Sequence, residues 1–193
     1  SDYAILYRGN HQAKVFEQAL RKDRIPYILS GGQSFFERAE IRDLISYLRL
    51  LANDDDDPAF IRAATTPRRG IGNTTLQALG EYAGQRQVSM FAALFETAFE
   101  TRVGARQLAP LHEFGEFINR IAYRAAREPA IQVLDDLMAA INYREHLAAS
   151  FDEKGAAARW QNISEFLDWL KRRVDQADTP AAADVSSPAA SGA

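Results

Sequence analysis

Residues 37–52, which read ERAEIRDLISYLRLLA, decide the fold class of this chain. Their apolar side chains recur at intervals of three and four residues, the spacing that places them on one face of an α-helix. The residues on this face are Ile41, Leu44, Ile45, Leu48 and Leu51. Because only helical periodicity follows as far as residue 176, we predict a mainly α protein.

The later helices are predicted from their caps and their apolar faces. The acidic run at 54–57 ends the first helix, with Asp57 as the cap of the next helix and Pro58 at its first position. Pro and Gly make residues 66–72 a loop, and Asn73 begins another helix. Apolar positions then indicate three further helices, within 111–121, 129–141 and 160–174.

A different pattern precedes residue 37. Residues 3–8 and 26–29 are short apolar runs typical of buried strands, and helical spacing lies between them. Strand, helix and strand in this order predict a parallel βαβ unit. Because two strands alone make a poor sheet, we expect them to belong to a larger one. The expected fold is therefore mainly α, with a partial α/β segment at the N-terminus followed by an all-helical subdomain.

The composition excludes several classes of site. The sequence has no cysteine and no Gly-Lys dipeptide, which excludes disulfides, thiolate zinc sites and a P-loop. The histidines, at 11, 112 and 146, are far apart, and no run approaches the roughly 20 apolar residues of a membrane span. We predict no catalytic residue, no metal site, no membrane partner and a cytoplasmic location.

The strongest candidate site is the loop at 66–72, which reads TPRRGIG. Its two glycines permit left-handed backbone angles and close approach of a ligand, and successive amides can form an anion-binding concavity. The helix that begins at Asn73 adds the positive end of its dipole, and Arg68 and Arg69 add charge. This chemistry suits a DNA phosphate, and the alternative is a turn that binds nothing.

Two other segments are weaker candidates. Arg8 and Asn10 follow the first predicted strand, the end at which α/β sheets bind ligands, but the local pattern favours a solvated charge and a helix cap. Phe35 and Phe36 could stack on bases, although such a pair more often belongs to a core. The net charge of −3 means that any DNA binding must rest on local patches, or on a larger and more basic molecule.

Several segments, in this order and at this spacing, resemble UvrD/Rep-type superfamily one helicases. The matching segments are AILYRGN at 4–10, IPY at 25–27, GG at 31–32, FFER at 35–38, IRD at 41–43, YLR at 47–49 and TPRRGIG at 66–72. Residues 30–32, 53–56 and 89–91 are most similar to the Rep subgroup. The resemblance implies an ATP-driven motor with two RecA-like domains, each carrying a helical insertion, that moves three-prime to five-prime on single-stranded DNA.

The resemblance also implies a domain organisation. Residues 1–50 would belong to the second RecA-like domain and residues 51–176 to its helical insertion, which contacts duplex DNA. Residues 177–193, rich in Ala, Ser and Pro, are expected to form a disordered tail or linker. The nucleotide-binding lysine and the catalytic carboxylates would lie outside this chain. ATP and Mg²⁺ are thus expected in the parent enzyme, and no cofactor is expected here.

Matching positions give the expected DNA contacts. Arg8 and Asn10 would contact the tracking single strand, whereas Ala13 and Lys14 stand where relatives often have Ser and Arg. The expected partners are single-stranded DNA, the duplex junction and the rest of the helicase polypeptide. The DNA-binding residues that we predict are Arg8, Asn10, Lys14, Arg68, Arg69, Gly70, Ile71, Gly72, Thr74 and Thr75.

Three functions are compatible with these features. The first is a part of an ATP-dependent DNA helicase that binds DNA and regulates unwinding, without ATPase activity by itself. The second is a stand-alone DNA-binding module of helix-hairpin-helix type, against which the partial βαβ unit argues. The third is a helical protein-interaction domain, favoured by the net negative charge and the long amphipathic helices.

Overall fold

Helices follow one another along almost the whole described chain. The computed structural model describes residues 3–7, 10–29 and 34–178, and of residues 10, 11 and 176–178 it describes the backbone alone. A single 3-10 turn spans Phe35–Glu37. The α-helices within the described ranges are α1 Asn10–Lys22, α2 Ala39–Ala52, α3 Asp57–Thr65, α4 Asn73–Arg86, α5 Met90–Leu94, α6 Thr97–Glu100, α7 Ala105–Ala125, α8 Ala130–Ile141, α9 Tyr143–Ser150 and α10 Glu153–Asp178.

Helix α2 lies at the centre of the packing and contacts α3, α7 and α10. The predicted amphipathic helix is confirmed, although its buried face is centred on Tyr47, which is fully buried. Ile45, Leu48 and Leu51, at the margins of this face, are only partly buried. The helix is covered on a wide face because three other helices pack on it.

Aromatic side chains join the helices that surround α2. The ring of Phe60 on α3 lies 6.2 Å from that of Phe91 on α5 and 5.6 Å from that of Phe114 on α7, with edge-to-face geometry in both pairs. Aromatic rings prefer this arrangement to face-to-face stacking. Since Phe60 is fully buried, this cluster fixes α3, and the loop that follows it, against α7.

The predicted βαβ unit is not confirmed, whereas the mainly α class is. Within the described ranges, residues 3–7 and 25–29 form no strand. A strand requires ladder hydrogen bonds to a neighbouring strand, and no described segment supplies them. The side chains of Tyr3, Leu6 and Ile28 are 95%, 93% and 95% exposed. These apolar runs therefore have the composition of buried strands without a covering layer.

Two helix boundaries differ from the sequence-based expectation. The cap of α3 is Asp56, whose carboxylate accepts a hydrogen bond from the amide of Ala59 at 3.1 Å. Asp57, the predicted cap, instead accepts from the amide of Met90 at 2.8 Å and so fixes the start of α5. Helix α10 includes the first two residues of the predicted tail, and residues 179–193 lie outside the described ranges.

None of the described helices combines the length and the apolar character needed to cross a bilayer.

Candidate nucleic-acid interface

The glycine loop, residues 66–72, connects the end of α3 to the start of α4. Gly70 adopts a φ of +78°, a left-handed angle that side chains disfavour, and Gly72 precedes the helix with φ −84° and ψ 153°. Both glycines are exposed, whereas the side chain of Ile71 packs against the core. The isoleucine thus anchors the loop while the glycine backbone faces outward.

The backbone amides of this loop are available to a ligand. The carbonyl of Gly72 accepts from the amides of Thr75 and Leu76, both at 3.1 Å, which closes the first turn of α4. In the described part of the chain, the amides from Gly70 to Thr74 have no acceptor. Unoccupied amides at the positive end of a helix dipole form an anion-binding arrangement.

Arg69 is part of the loop's internal framework. Its guanidinium donates to the carbonyls of Ala63 and Pro67, each at 2.9 Å, and to the hydroxyl of Tyr47 at 2.6 Å. The same group lies over the rings of Tyr47 and Phe114, at 5.6 and 5.4 Å from their centres. Its donors are therefore directed inward, where they fix the path of the loop, and direct contact of Arg69 with DNA stays a prediction.

Tyr47 completes this framework from α2. Its hydroxyl lies 2.9 Å from the carbonyl of Ala63 and 2.7 Å from that of Thr66, so its proton is shared between the end of α3 and the start of the loop. Burial raises the pKa of Tyr47 to about 12, although the adjacent Arg69 acts in the opposite direction. The phenol therefore keeps its proton at neutral pH and remains a donor.

Arg68 differs from its neighbour because it is exposed and has no hydrogen bond or ion pair among the described residues. Nearby, His146 on α9 has a lowered pKa, chiefly because of burial. The carboxylate of Asp43 opposes this shift, and the guanidinium groups of Arg68 and Arg69 add to it. At neutral pH the positive charge of this surface thus comes from arginine and not from His146.

A buried carboxylate supports the region beneath the loop. Asp43, one helical turn before Tyr47, accepts a hydrogen bond from Nε of Arg62 at 2.7 Å. Its second oxygen accepts from the hydroxyl of Tyr143 on α9. Burial, followed by the hydrogen bond to Asp43, raises the pKa of Tyr143 well above its usual range. Asp43 therefore joins α2, α3 and α9.

The remaining residues predicted to contact DNA differ in whether their side chains are exposed, buried or paired. Thr74 is exposed, but Thr75 is buried and its amide is already bonded, so Thr75 serves the start of α4. Lys14 pairs with Glu165 on α10 and lies over the ring of Phe35 at 5.0 Å. Arg8 lies outside the described residues, as does the side chain of Asn10.

The glycine 31–32 pair also lies outside the described residues, and the aromatic pair that follows it belongs to the core. Phe35 and Phe36 are buried, at 2% and 6% exposure. Glu17 on α1 holds this segment, because its carboxylate accepts from the hydroxyls of Tyr27 and Ser34 and from the amide of Phe35. This pair therefore cannot stack on bases.

Sequence reasoning did not identify the residues that shape the loop from outside. Tyr47 and Phe114 lie in helices distant in sequence, and Pro110 in α7 lies 4.0 Å from the position that a Cβ on Gly70 would occupy. For Tyr47, the only local signal was its position on the buried face of α2. A helical periodicity shows that a side chain is buried but not which loop it meets.

The two glycines should respond differently to substitution. Gly70→Ala is expected to lower the free energy of unfolding by about 1 kcal/mol, because an alanine is strained at positive φ even where space is open. The nearest atom to a Cβ there, Cγ of Pro110, is 4.0 Å away. The matched variant Gly72→Ser should change stability by only a few tenths of a kcal/mol, since serine is also a favoured N-cap. Urea unfolding measures both, and equal midpoints for the two variants would contradict this account.

The sequence of this chain is similar to one known protein family and to several known proteins. The sequence model of the UvrD-like helicase C-terminal domain matches residues 1–184. ATP-dependent DNA helicase Rep of Salmonella typhimurium is 44% identical over 175 residues, 90% of this chain and 26% of that protein. The Rep protein of Escherichia coli gives the same values. DNA helicase II of Escherichia coli is 38% identical over 167 residues, 86% of this chain and 23% of that protein.

The chain therefore spans about a quarter of the length of these relatives. The match to the family model covers far more than half of the chain. The chain belongs to the UvrD-like helicase C-terminal domain family.

Proposed function

We propose that this chain is the duplex-binding and regulatory part of an ATP-dependent three-prime to five-prime DNA helicase. The observation that carries the proposal is the exposed glycine loop, whose amides at 70–74 have no acceptor among the described residues and stand beside the unpaired Arg68. The names of the similar proteins, which are DNA helicases, support DNA as the ligand.

The chemistry of the loop suits the phosphate backbone of DNA and not its bases. Backbone amides and a helix N-terminus present donors to phosphate oxygens without reading sequence. Arg68 adds a charge that releases counterions from the duplex when it binds. Binding should therefore be independent of sequence and sensitive to salt, as a motor that advances through any sequence requires.

The described contacts support duplex binding more directly than single-strand binding. The loop is open, whereas Lys14 is occupied by Glu165. Contacts of Arg8 and Asn10 with the tracking single strand rest on the family resemblance.

A regulatory role is supported by the way in which α2 connects the loop to α10. At one end of α2, Asn162 of α10 bonds both Arg38 and Glu40. About two turns further along α2, Tyr47 holds the loop. A rigid helix fixed at two places can transmit displacement between a motor domain and a loop that grips the duplex. We propose that the insertion restrains or permits unwinding through this connection.

The parent enzyme is expected to bind ATP and Mg²⁺ outside this chain. It has no Gly-Lys dipeptide for nucleotide phosphates. The described residues contain no group of three or more His, Cys, Asp or Glu that could hold a metal ion. We therefore propose that nucleotide binding and hydrolysis take place elsewhere in the parent enzyme and that this chain alone has no ATPase activity.

The rest of the helicase polypeptide is the second proposed partner. Tyr3, Leu6 and Ile28 are almost fully exposed. Exposed apolar runs of this kind mark surfaces that another element covers. Because this chain matches only 26% of the length of these relatives, we propose that strands of the second motor domain cover these apolar runs. The exposed apolar side chains are thus explained by the rest of the helicase, and they do not require a separate protein-interaction function.

Replacing Arg68 alone tests the duplex assignment. Arg68→Ala is expected to weaken binding to a short duplex about fivefold and to reduce the slope of log affinity against log salt by about 0.9, the loss of one phosphate contact. Fluorescence titrations across a salt series measure both quantities, with Arg127→Ala as the control for loss of one exposed charge. Urea unfolding should show no change in stability, since Arg68 has no described partner.

Absence of duplex binding by the unmodified chain at low salt would overturn the proposed function and favour a protein-interaction domain. If the unmodified chain binds but Arg68→Ala has the same salt slope, the duplex occupies a surface other than this loop.

A further inference from the structure

Arg106 is a second unpaired arginine close to the glycine loop. It occupies the second position of α7, it is exposed, and it has no hydrogen bond, ion pair or ring contact among the described residues. The start of α7 is closed internally, because Gly104 and Gln107 bond each other in both directions. The exposed side chain of Arg106 is the charged group that this helix end offers to a ligand.

The glycine loop packs against one flank of α7. The guanidinium carbon of Arg69 lies 5.4 Å from the ring centre of Phe114, and a Cβ built on Gly70 would lie 4.0 Å from Cγ of Pro110. Phe114 and Pro110 are four residues apart, so these two contacts lie about one helical turn apart on α7, with that of Gly70 nearer its N-terminus. Arg106 is the next position in this row, with its Cβ about 5–6 Å beyond that of Pro110.

Along this flank of α7, the positive charge lies towards the N-terminus and the negative charge lies towards the C-terminus. Arg68 lies in the loop itself, and Arg106 lies on the N-terminal side of Pro110. Glu113, which is exposed, lies about one turn to the other side. A polyanion that binds the loop amides is attracted towards Arg106 and repelled by Glu113, since both groups lie within about a Debye length of the loop.

We infer that Arg106 binds a second phosphate of the duplex backbone that the glycine loop holds, so that the strand runs from the loop towards the start of α7. The inference rests on the proposed function, and it adds an orientation that the loop alone does not give. It also adds positive charge to the binding surface of a chain whose net charge is −3.

The experiment compares three single variants of the whole chain in titrations with a short duplex of mixed sequence. Arg106→Gln is expected to lower affinity at low salt about fivefold and to reduce the salt slope by about 0.9. Glu113→Gln removes the opposite charge one turn from Pro110 and should not lower affinity. Arg127→Gln is the matched arginine control, because Arg127 lies 21 residues along the chain and roughly 30 Å away.

Each outcome decides between specific explanations. If Arg106→Gln has the duplex affinity and salt slope of the unmodified chain while Arg68→Ala binds the duplex more weakly, the inference is overturned and the proposed function remains intact. Equal losses for Arg106→Gln and Arg127→Gln would also overturn it, because the effect would then be one of net charge. Failure of the unmodified chain to bind would overturn the proposed function itself. Because Arg106 is exposed and without a described partner, the urea midpoint of Arg106→Gln should equal that of the unmodified chain.

Discussion

Arg69→Ala is expected to lower the free energy of unfolding by about 2 kcal/mol and to weaken duplex binding at least tenfold. The substitution removes the donor for the carbonyls of Ala63 and Pro67 and for the hydroxyl of Tyr47. The loop would lose the contacts that fix its path between α3 and α4. Duplex binding should fall because the glycine amides would no longer converge on one phosphate. Urea unfolding and duplex titration measure the two effects.

Arg69→Lys separates positioning from charge. Lysine keeps the positive charge, but its compact ammonium cannot reproduce the fixed fork that reaches three acceptors on α2, α3 and the loop. The lysine variant should therefore resemble the alanine variant in both measurements. Normal stability and binding for Arg69→Lys would show that charge alone matters at this position. Charge reversal of Arg68 and Arg69 together would combine a surface effect with damage to the loop.

Asp43→Ala should lower the free energy of unfolding by about 3 kcal/mol. Asp43 is 7% exposed, and its carboxylate accepts from both Arg62 and Tyr143. Alanine would leave the guanidinium of Arg62 without its partner and the hydroxyl of Tyr143 without its acceptor. For a chain of this length, the melting temperature should fall by roughly 6–12 °C. Thermal unfolding followed by circular dichroism measures the change.

Tyr143→Phe serves as the graded control. It removes one hydrogen bond to the Asp43 carboxylate but retains the ion pair with Arg62 and the packing of the ring. The expected loss is about 1 kcal/mol, near the net value of one hydrogen bond. If Asp43→Ala costs no more than Tyr143→Phe, the ion pair with Arg62 contributes nothing and the account of this junction is wrong. The double variant should be less destabilised than the sum of the single variants, because both remove the same contact.

Asp43 and Tyr47 act as one unit because they lie one turn apart on the same face of α2. Asp43 joins α2 to α9, and Tyr47 joins α2 to the loop. Loss of either should therefore be felt in the candidate interface, although neither is exposed to a ligand. Duplex affinity of Asp43→Ala, measured well below its melting temperature, reports how far the interface depends on this support.

Local sequence patterns determined most of the helical architecture. The apolar spacing at 41–51 predicts α2, and the faces at 111–121 and 160–174 predict α7 and α10. Pro and Gly predict the loop between α3 and α4. These features depend on interactions among residues a few positions apart, which a sequence displays directly. The short helices α5, α6 and α9 carry too few turns to display a periodicity of their own.

The N-terminal apolar runs show where such patterns are insufficient. Residues 3–7 and 25–29 have the composition of strands but form none within the described ranges. Composition reports that a segment suits burial, whereas a strand exists only when a neighbour completes its hydrogen bonds.

The two adjacent arginines of the loop show most clearly what tertiary structure decided. In the sequence, Arg68 and Arg69 are equivalent charges beside two glycines. In the folded chain, Arg68 is exposed, while Arg69 is turned inward by Tyr47, 22 residues earlier, and by Phe114 on α7. Arg106, which no local pattern distinguishes, lies one turn of α7 before Pro110, the residue nearest to a Cβ built on Gly70. The sequence determined that a loop with free amides follows α3, because glycine conformation and helix ends are local properties. Only the packed structure decided which charges serve that loop, because their partners come from helices distant in the chain.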